Sequence, residues 1–181
     1  RGLHRDRRQR APWPVIALRI AGCGLGLSSC NDTSGNPLDE AALSVTLRKL
    51  ELAADLGVSL VVGGAGEAET PEEEQTLLRH LQAIGDHAAR WNLTYCFETH
   101  PGLCVSPQSM LHTMTVLDHP HLRLNFDTGN VLYYNQHLDW AAGLRDVREF
   151  VRHVHLKDTN GHYREWHFPA LGAKHEKPDA R

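Results

Sequence analysis

Leu93-Thr94-Tyr95-Cys96-Phe97-Glu98 alternates apolar and polar side chains and stops on a carboxylate. Successive residues of a β-strand point to opposite faces, so Leu93, Tyr95 and Phe97 share one face while Thr94, Cys96 and Glu98 share the other. The same grammar returns twice downstream. Leu122, Leu124 and Phe126 oppose Arg123, Asn125 and Asp127, and Val154 and Leu156 oppose His153 and His155. Stretches with helical spacing separate these runs, and strands alternating with helices build a parallel sheet covered by helices. The apolar faces then meet the helices, and the polar faces look into a barrel.

Working outward, the same alternation extends towards the amino end. Asn36-Pro37 predicts a helix start, with a cap oxygen followed by proline in the first turn. Leu43, Leu47, Leu50 and Ala54 recur at helical spacing, and Gly57 offers a left-handed stop. Val58 to Val62 reads as a buried strand running into Gly63-Gly64-Ala65-Gly66. Thr70, Pro71 and Glu73 then form a capping box ahead of a stripe of Leu77, Leu81, Ile84, Ala88 and Trp91. Ser106-Pro107 opens a helix that turns Met110, Leu111, Met114 and Leu117 inward. A weaker helix runs from Trp140 to Phe150, and a strand follows over residues 151–156. Upstream, Val15 to Ala21 reads as helix and Leu25 to Cys30 as strand. Gly22, Gly24 and Gly26 precede that strand rather than follow one, which argues against a dinucleotide-binding loop.

Glu98, Asp127 and His155 all stand at the carboxyl ends of their strands, where parallel barrels gather their active-site groups. Two carboxylates aimed into one enclosed mouth repel each other unless a cation neutralises them. Two carboxylates and an imidazole suit one divalent metal ion, Mn, Mg, Co or Zn, without choosing among these. Taken singly, each residue has a plainer reading: Glu98 paired with Arg123, Asp127 capping the turn before Gly129, and His155 hydrogen-bonded in the core. Their recurrence at one structural position favours the shared site. His100 and His153 lie two residues from a proposed ligand on the same strand face, where they contact substrate or support a ligand.

The chain has 181 residues, 41% of them hydrophobic and 23% charged, which fits one core and not two. A formal net charge of -3 gives no basic field for nucleic acid or an anionic membrane, so a small molecule is the expected partner. No apolar run approaches the roughly 20 residues of a membrane helix. Cys23, Cys30, Cys96 and Cys104 lack C-x-x-C spacing and read as reduced cytoplasmic thiols. Residues 1–12 form a basic amino-terminal segment and residues 173–181 a polar tail, flanking a single partial domain. The chain opens on Arg1 and not on methionine, which is expected of a fragment or a processed product.

Phe97-Glu98-Thr99-His100-Pro101-Gly102, Asn125-Phe126-Asp127-Thr128-Gly129-Asn130 and His153-Val154-His155-Leu156-Lys157-Asp158 together resemble the xylose isomerase-like TIM-barrel superfamily. That superfamily contains sugar isomerases and epimerases as well as endonuclease IV. The resemblance spans roughly residues 24 to 172 and implies an α/β fold, a TIM (β/α)8 barrel with about strands 3 to 7 present. It implies that Glu98, Asp127 and His155 are three of four ligands to one divalent metal. The fourth, a glutamate on the last barrel strand, is not found, and Glu176 in the charged tail is not assigned that role.

The implied activity is isomerisation or epimerisation of a carbohydrate or hydroxy-carbonyl compound by proton transfer through an enediolate, with Glu98 as the catalytic carboxylate. His100, Asn130, His153, Lys157 and Arg164 are the expected substrate-binding residues, with Trp140 and Trp166 at the mouth. Asn130, where many relatives carry histidine, speaks against a second metal of the nuclease type. An endonuclease IV-like phosphodiesterase and a truncated, inactive remnant are the competing readings. An unclosed sheet also leaves an open strand edge and uncovered apolar surface, from which association into a homo-oligomer is expected.

Overall fold

The computed structural model describes residues 13–173. The basic segment 1–12, the tail from residue 174 and Glu176 lie outside the described residues. The elements follow in the order α1 (Trp13–Gly22), β1 (Ser29–Asn31), α2 (Glu40–Asp55), β2 (Leu60–Gly63), α3 (Pro71–Arg90) and β3 (Thr94–Glu98). After these come α4 (Pro107–Leu117), β4 (Leu122–Asp127), α5 (Asn130–Tyr134), α6 (Trp140–Val147) and β5 (Val151–His155). All five strands are parallel and lie side by side in chain order. A sheet that never reverses its order is the barrel arrangement, since a doubly wound sheet changes direction at a switch point.

The sheet curls hard. Ser29 on β1 and His153 on β5 approach to 3.2 Å between Oγ and Nε2. In a flat sheet strands spaced about 4.8 Å apart would hold β1 and β5 about 19 Å from each other. The five strands therefore form a half-barrel whose inner face closes on itself through side chains. On the outer face Tyr95, Phe97, Leu122, Leu124 and Phe126 pack against Leu50, Leu77, Leu81, Ile84, Met110 and Met114 from α2, α3 and α4, all fully buried. The predicted division between faces holds on β3 and β4. On β5 the helix-facing residues Val154 and Leu156 stay 48% and 64% exposed, because no element among the described residues covers them. This is the uncovered apolar surface expected of an open sheet.

A register shift decides which face the histidines take. Leu124 pairs with Val151, but Asn125 pairs with His153, so Arg152 is left out of the ladder. Paired residues of a parallel sheet share a face. Without the shift Arg152 and Val154 would stand beside Asn125 and Asp127, and both histidines would point at the helices.

Several local expectations are refined. Helix α2 begins at Glu40 and is capped by Asp39, whose carboxylate accepts from the Ala41 amide. Asn36 instead accepts from the Leu38 amide and donates to the Glu67 carbonyl, which ties two loops together. Thr70 caps α3 as read, but Glu73 reaches past it to the Glu69 amide. Leu111 is partly exposed and is replaced on the inner face of α4 by Thr113, whose hydroxyl donates to the Leu103 carbonyl. Strand β1 is confined to Ser29–Asn31, and the weak helix ends at Val147 after the separate short helix α5. The four cysteines are free thiols, and no helix of the described residues is long and apolar enough to cross a membrane.

Asp32, just beyond β1, anchors the helix side of the curl. Its buried carboxylate accepts from the Ser34 hydroxyl and amide, Thr46 Oγ1 at 2.6 Å, Lys49 Nζ at 2.9 Å and the Tyr95 hydroxyl at 3.0 Å. Burial alone would raise its pKa, but the bonds from Ser34, Thr46 and Lys49 together with the Lys49 charge outweigh burial and hold it below the ordinary value. The sign follows: this stability is present above an aspartate's usual pKa of about 4 and is lost as pH falls through the lowered one. Gly63 makes the arrangement possible, since a Cβ there would collide with the Tyr95 hydroxyl. Tyr95→Phe is expected to cost about 1.5–3 kcal/mol, the range for a hydrogen bond to a charged group. Urea unfolding at pH 7 measures it, and an unchanged midpoint would show that the bond contributes nothing.

Candidate metal centre and its cleft

Glu98, Asp127 and His155 close β3, β4 and β5, and the ladder sets Asp127 directly beside His155. Each offers one ligand atom to a common focus, and these atoms all lie within 4.8 Å of one another. His155 Nδ1 stands 2.9 Å from Glu98 Oε1 and 3.6 Å from Asp127 Oδ2. The Asp127 carboxylate divides its work. Oδ1 accepts from the Gly129 and Asn130 amides at 3.0 and 2.8 Å, so the turn-capping reading of this residue is correct for one oxygen. Oδ2 is left for the site. Its position is fixed from behind by Thr99, whose buried hydroxyl accepts from the Asp127 amide and donates to the Asn125 carbonyl.

Whether these residues fit a cation can be tested on two features. First, Oδ2 of Asp127 is wholly buried and has no hydrogen-bond partner. Lys157 Nζ lies 2.7 Å away, near enough for an ion pair but outside hydrogen-bond geometry. A buried carboxylate oxygen without a hydrogen bond is costly; Lys157 supplies one positive charge beside it, and Glu98 brings a second carboxylate to the same focus. Second, the contacts at His155 Nδ1 conflict. The Glu98 carboxylate at 2.9 Å calls for a proton on this nitrogen, whereas Asn125 Nδ2 at 3.0 Å calls for a lone pair. One ring nitrogen cannot supply both. A cation among the three ligand atoms would answer both carboxylates and take up the Nδ1 lone pair in place of the Asn125 hydrogen bond. The residues present fit a divalent metal.

Glu98 also lines a cleft of about 460 Å³ at the carboxyl ends of β1, β2 and β3. Asn31, Asp32, Asn36, Glu67 and His100 line it, together with Gly63, Gly64 and Gly66. Gly102, with φ of +97°, packs so closely on the Gly66 carbonyl that no side chain fits. That contact joins the loop after β3 to the loop after β2. His100 is exposed into the cleft, with its ring edge-on to Tyr134 at 5.5 Å. Burial, then Tyr133, Asp127 and Glu98, push the Tyr134 phenol up from its ordinary pKa, so its hydroxyl stays a donor at neutral pH.

The other residues expected to bind substrate sit elsewhere. Asn130 is buried, donating to the Thr99 carbonyl and accepting from Lys157 at 2.9 Å. Lys157 is occupied by Asn130 and Asp127 and lies over the Phe168 ring. His153 is engaged at both ring nitrogens inside the half-barrel; burial, then the neighbouring His155, lower its pKa. Arg164 adopts a left-handed backbone, donates its amide to the Tyr133 carbonyl and places its guanidinium over Tyr163. Arg123 bonds the carbonyls of His119 and Leu122, so it is not the partner of Glu98.

Two groups escaped the sequence reading. Asp32 stands at a strand's carboxyl end, the position that flagged the other carboxylates, but the three-residue strand before it carries too little alternation to show. Asn125 shows the right parity without a charge to draw attention. Both are legible from position more than from residue type.

The model of one protein family, described as xylose isomerase-like TIM barrel, matches residues 18–175. No curated protein matches the sequence. Among solved structures, a xylose isomerase domain protein from Planctomyces limnophilus is similar at TM-score 0.70 and 16% identity, covering 84% of this chain and 60% of its own. A xylose isomerase-like TIM barrel protein from Mycobacterium smegmatis, in complex with magnesium, gives 0.67 and 21%, with coverages of 82% and 57%. A 3-keto-D-glucoside 4-epimerase from E. coli gives 0.69 and 18%, with coverages of 81% and 64%. At these identities the likeness is one of fold, and the chain spans about 60% of the length of the first of them.

Proposed function

Because this chain belongs to the xylose isomerase-like TIM barrel family, we propose that it carries the metal-binding and proton-transfer residues of a sugar isomerase or epimerase. The observation that carries this reading is the convergence of Glu98, Asp127 and His155 on one focus at the wall of a polar cleft, where Asp127 Oδ2 is buried without a hydrogen bond. A divalent cation bound there would act as a Lewis acid on a substrate carbonyl, making the adjacent C–H more acidic. Asp127, held rigidly from behind, serves as an anchor. Glu98 faces both the focus and the cleft, and is the group placed to take the α-proton. Asn31 and His100 offer hydrogen-bonding groups on the wall with which a polyhydroxylated substrate could be oriented. The similarity to a 3-keto-D-glucoside 4-epimerase supports a carbohydrate, and the magnesium complex of another relative supports a divalent ion.

The test combines binding and exchange. Titration with Mn²⁺, followed by the electron paramagnetic resonance of the free ion, is expected to show one site per chain that EDTA empties. A panel of ketoses in D₂O should then lose α-proton signal only in the loaded protein. Absence of a Mn²⁺ site would end the proposal, and exchange that persists after EDTA would remove the metal from the chemistry.

A further inference from the structure

A second cavity opens beside the cleft. It holds about 460 Å³, within the roughly 300–1,000 Å³ typical of small-molecule sites, and its wall is drawn from segments that follow β3, β4 and β5. Ser106 and Gln108 come from the start of α4, Tyr134, Asn135 and Gln136 from the end of α5 and just beyond it, and Tyr163 from the segment after β5. This is the end of the sheet that carries Glu98, Asp127 and His155. His100 lines the cleft, Tyr134 lines the cavity, and their rings meet edge-on at 5.5 Å. One pair of rings therefore stands between the two spaces.

Hydrogen bonds between the three segments hold the wall in place. Asn135 Nδ2 donates to the Val105 carbonyl at 2.8 Å and to the Val131 carbonyl at 2.9 Å, which ties the approach to α4 to α5. The Arg164 amide donates to the Tyr133 carbonyl at 2.9 Å and draws the segment after β5 against them. A cavity stitched in this way needs little ordering when a ligand enters.

The chemistry of the wall selects a ligand class. The cleft carries Asp32, Glu67, Glu98 and His100, whereas no Asp, Glu, Lys, Arg or His lines the cavity. A phosphate, a carboxylate or an ammonium would lose water there without meeting a countercharge. The amides of Gln108 and Gln136, the oxygen of Asn135 and the phenols of Tyr134 and Tyr163 supply donors and acceptors together. A sugar hydroxyl likewise donates and accepts. The Ser106 hydroxyl is occupied by the cap of α4 and is not counted among these groups. The two tyrosine rings add apolar faces suited to the C–H face of a pyranose.

We propose that this cavity is a subsite for a neutral pyranose unit, seating a second sugar of the substrate beside the one that reacts in the cleft. The substrate is then a glycoside larger than one ring. That both spaces serve one substrate rests on the function proposed above, whereas binding of a pyranose in the cavity does not.

Saturation-transfer NMR titrations of the full chain, EDTA-treated and Mn²⁺-loaded, compare sugars that fill one space or both. D-Fructose is sized for the cleft, methyl α-D-glucoside for the cavity, and isomaltulose, turanose and lactulose join a pyranose to fructose through different oxygens. At least one of these disaccharides is expected to bind about 10-fold more tightly than D-fructose, as one or two net hydrogen bonds would give. Tyr163→Ala, at a 40% exposed position, and Gln108→Ala, on the exposed side of α4, should each cut that advantage by about threefold or more. Both should leave D-fructose and Mn²⁺ affinity unchanged, and exposed positions keep the variants folded. No advantage for any disaccharide, or an advantage that both variants retain, would overturn the proposal. Methyl α-D-glucoside binding with no gain on linkage would also overturn it, because the cavity would then hold a separate sugar. A parent without a Mn²⁺ site would instead strike the function proposed above, and the disaccharide advantage in the EDTA-treated chain would still decide the cavity.

Discussion

Asp127→Asn is expected to weaken Mn²⁺ binding by at least about 100-fold, close to 2.7 kcal/mol, while the chain stays folded. The substitution is chosen because the two carboxylate oxygens do different things. The oxygen of an asparagine can still accept from the Gly129 and Asn130 amides, so the turn after β4 keeps its cap. What changes is the atom facing the focus, where a charged acceptor becomes an NH₂ whose hydrogens point at the cation. Lys157 loses its ion partner but keeps its bond to Asn130, and its ammonium is one-third exposed and can turn towards water. Loss of stability should therefore be small beside the loss of affinity. Free-ion resonance during a Mn²⁺ titration, run beside thermal unfolding, separates the two. Affinity within about threefold of the parent would show that Asp127 is a capping residue only and that the focus lies elsewhere.

Much of this centre is legible in the sequence because strand alternation depends only on a period of two. Glu98 and Asp127 fall on the inward face by counting from Leu93 and Leu122, and no tertiary information is needed. His155 is different. Its face is set by the shift that skips Arg152, and nothing around Leu124 or Val151, no glycine and no proline, announces an irregularity there. The parity within β5 could be counted, but not its relation to β4. The curl that brings Ser29 to His153 is equally silent, since it is a property of five strands together. Helix starts were ambiguous for a local reason: Asn36 and Asp39 are both competent caps, and contact with the Glu67 loop draws Asn36 into another role. Asp32 shows the limit most plainly. Its five donor groups come from Ser34, Thr46, Lys49 and Tyr95, on segments that only the folded sheet assembles.

Glu98→Gln should produce the opposite pattern from Asp127→Asn, with a modest effect on the metal and a large one on proton transfer. Glu98 is about one-quarter exposed and forms part of the cleft wall, whereas Asp127 is wholly buried. Exposure to the cleft lets one side chain meet both cation and substrate, and burial confines the other to the cation. A glutamine amide retains a neutral oxygen for the ion, so Mn²⁺ affinity should fall by about 10-fold and saturation remain attainable. It cannot accept a proton near neutral pH. At saturating Mn²⁺, exchange of a ketose α-proton with D₂O should therefore slow by about 100-fold to 10,000-fold, the range associated with a positioned general base. Proton NMR of the α-position follows the exchange. Parental exchange in the loaded variant would exclude Glu98 as the proton-transfer group, and the base would then be sought among other residues of the cleft wall, with His100 the first to test. Equal losses of affinity in the two variants would carry another meaning. Glu98 would then act as a ligand like Asp127, and its place on the cleft wall would have no catalytic consequence.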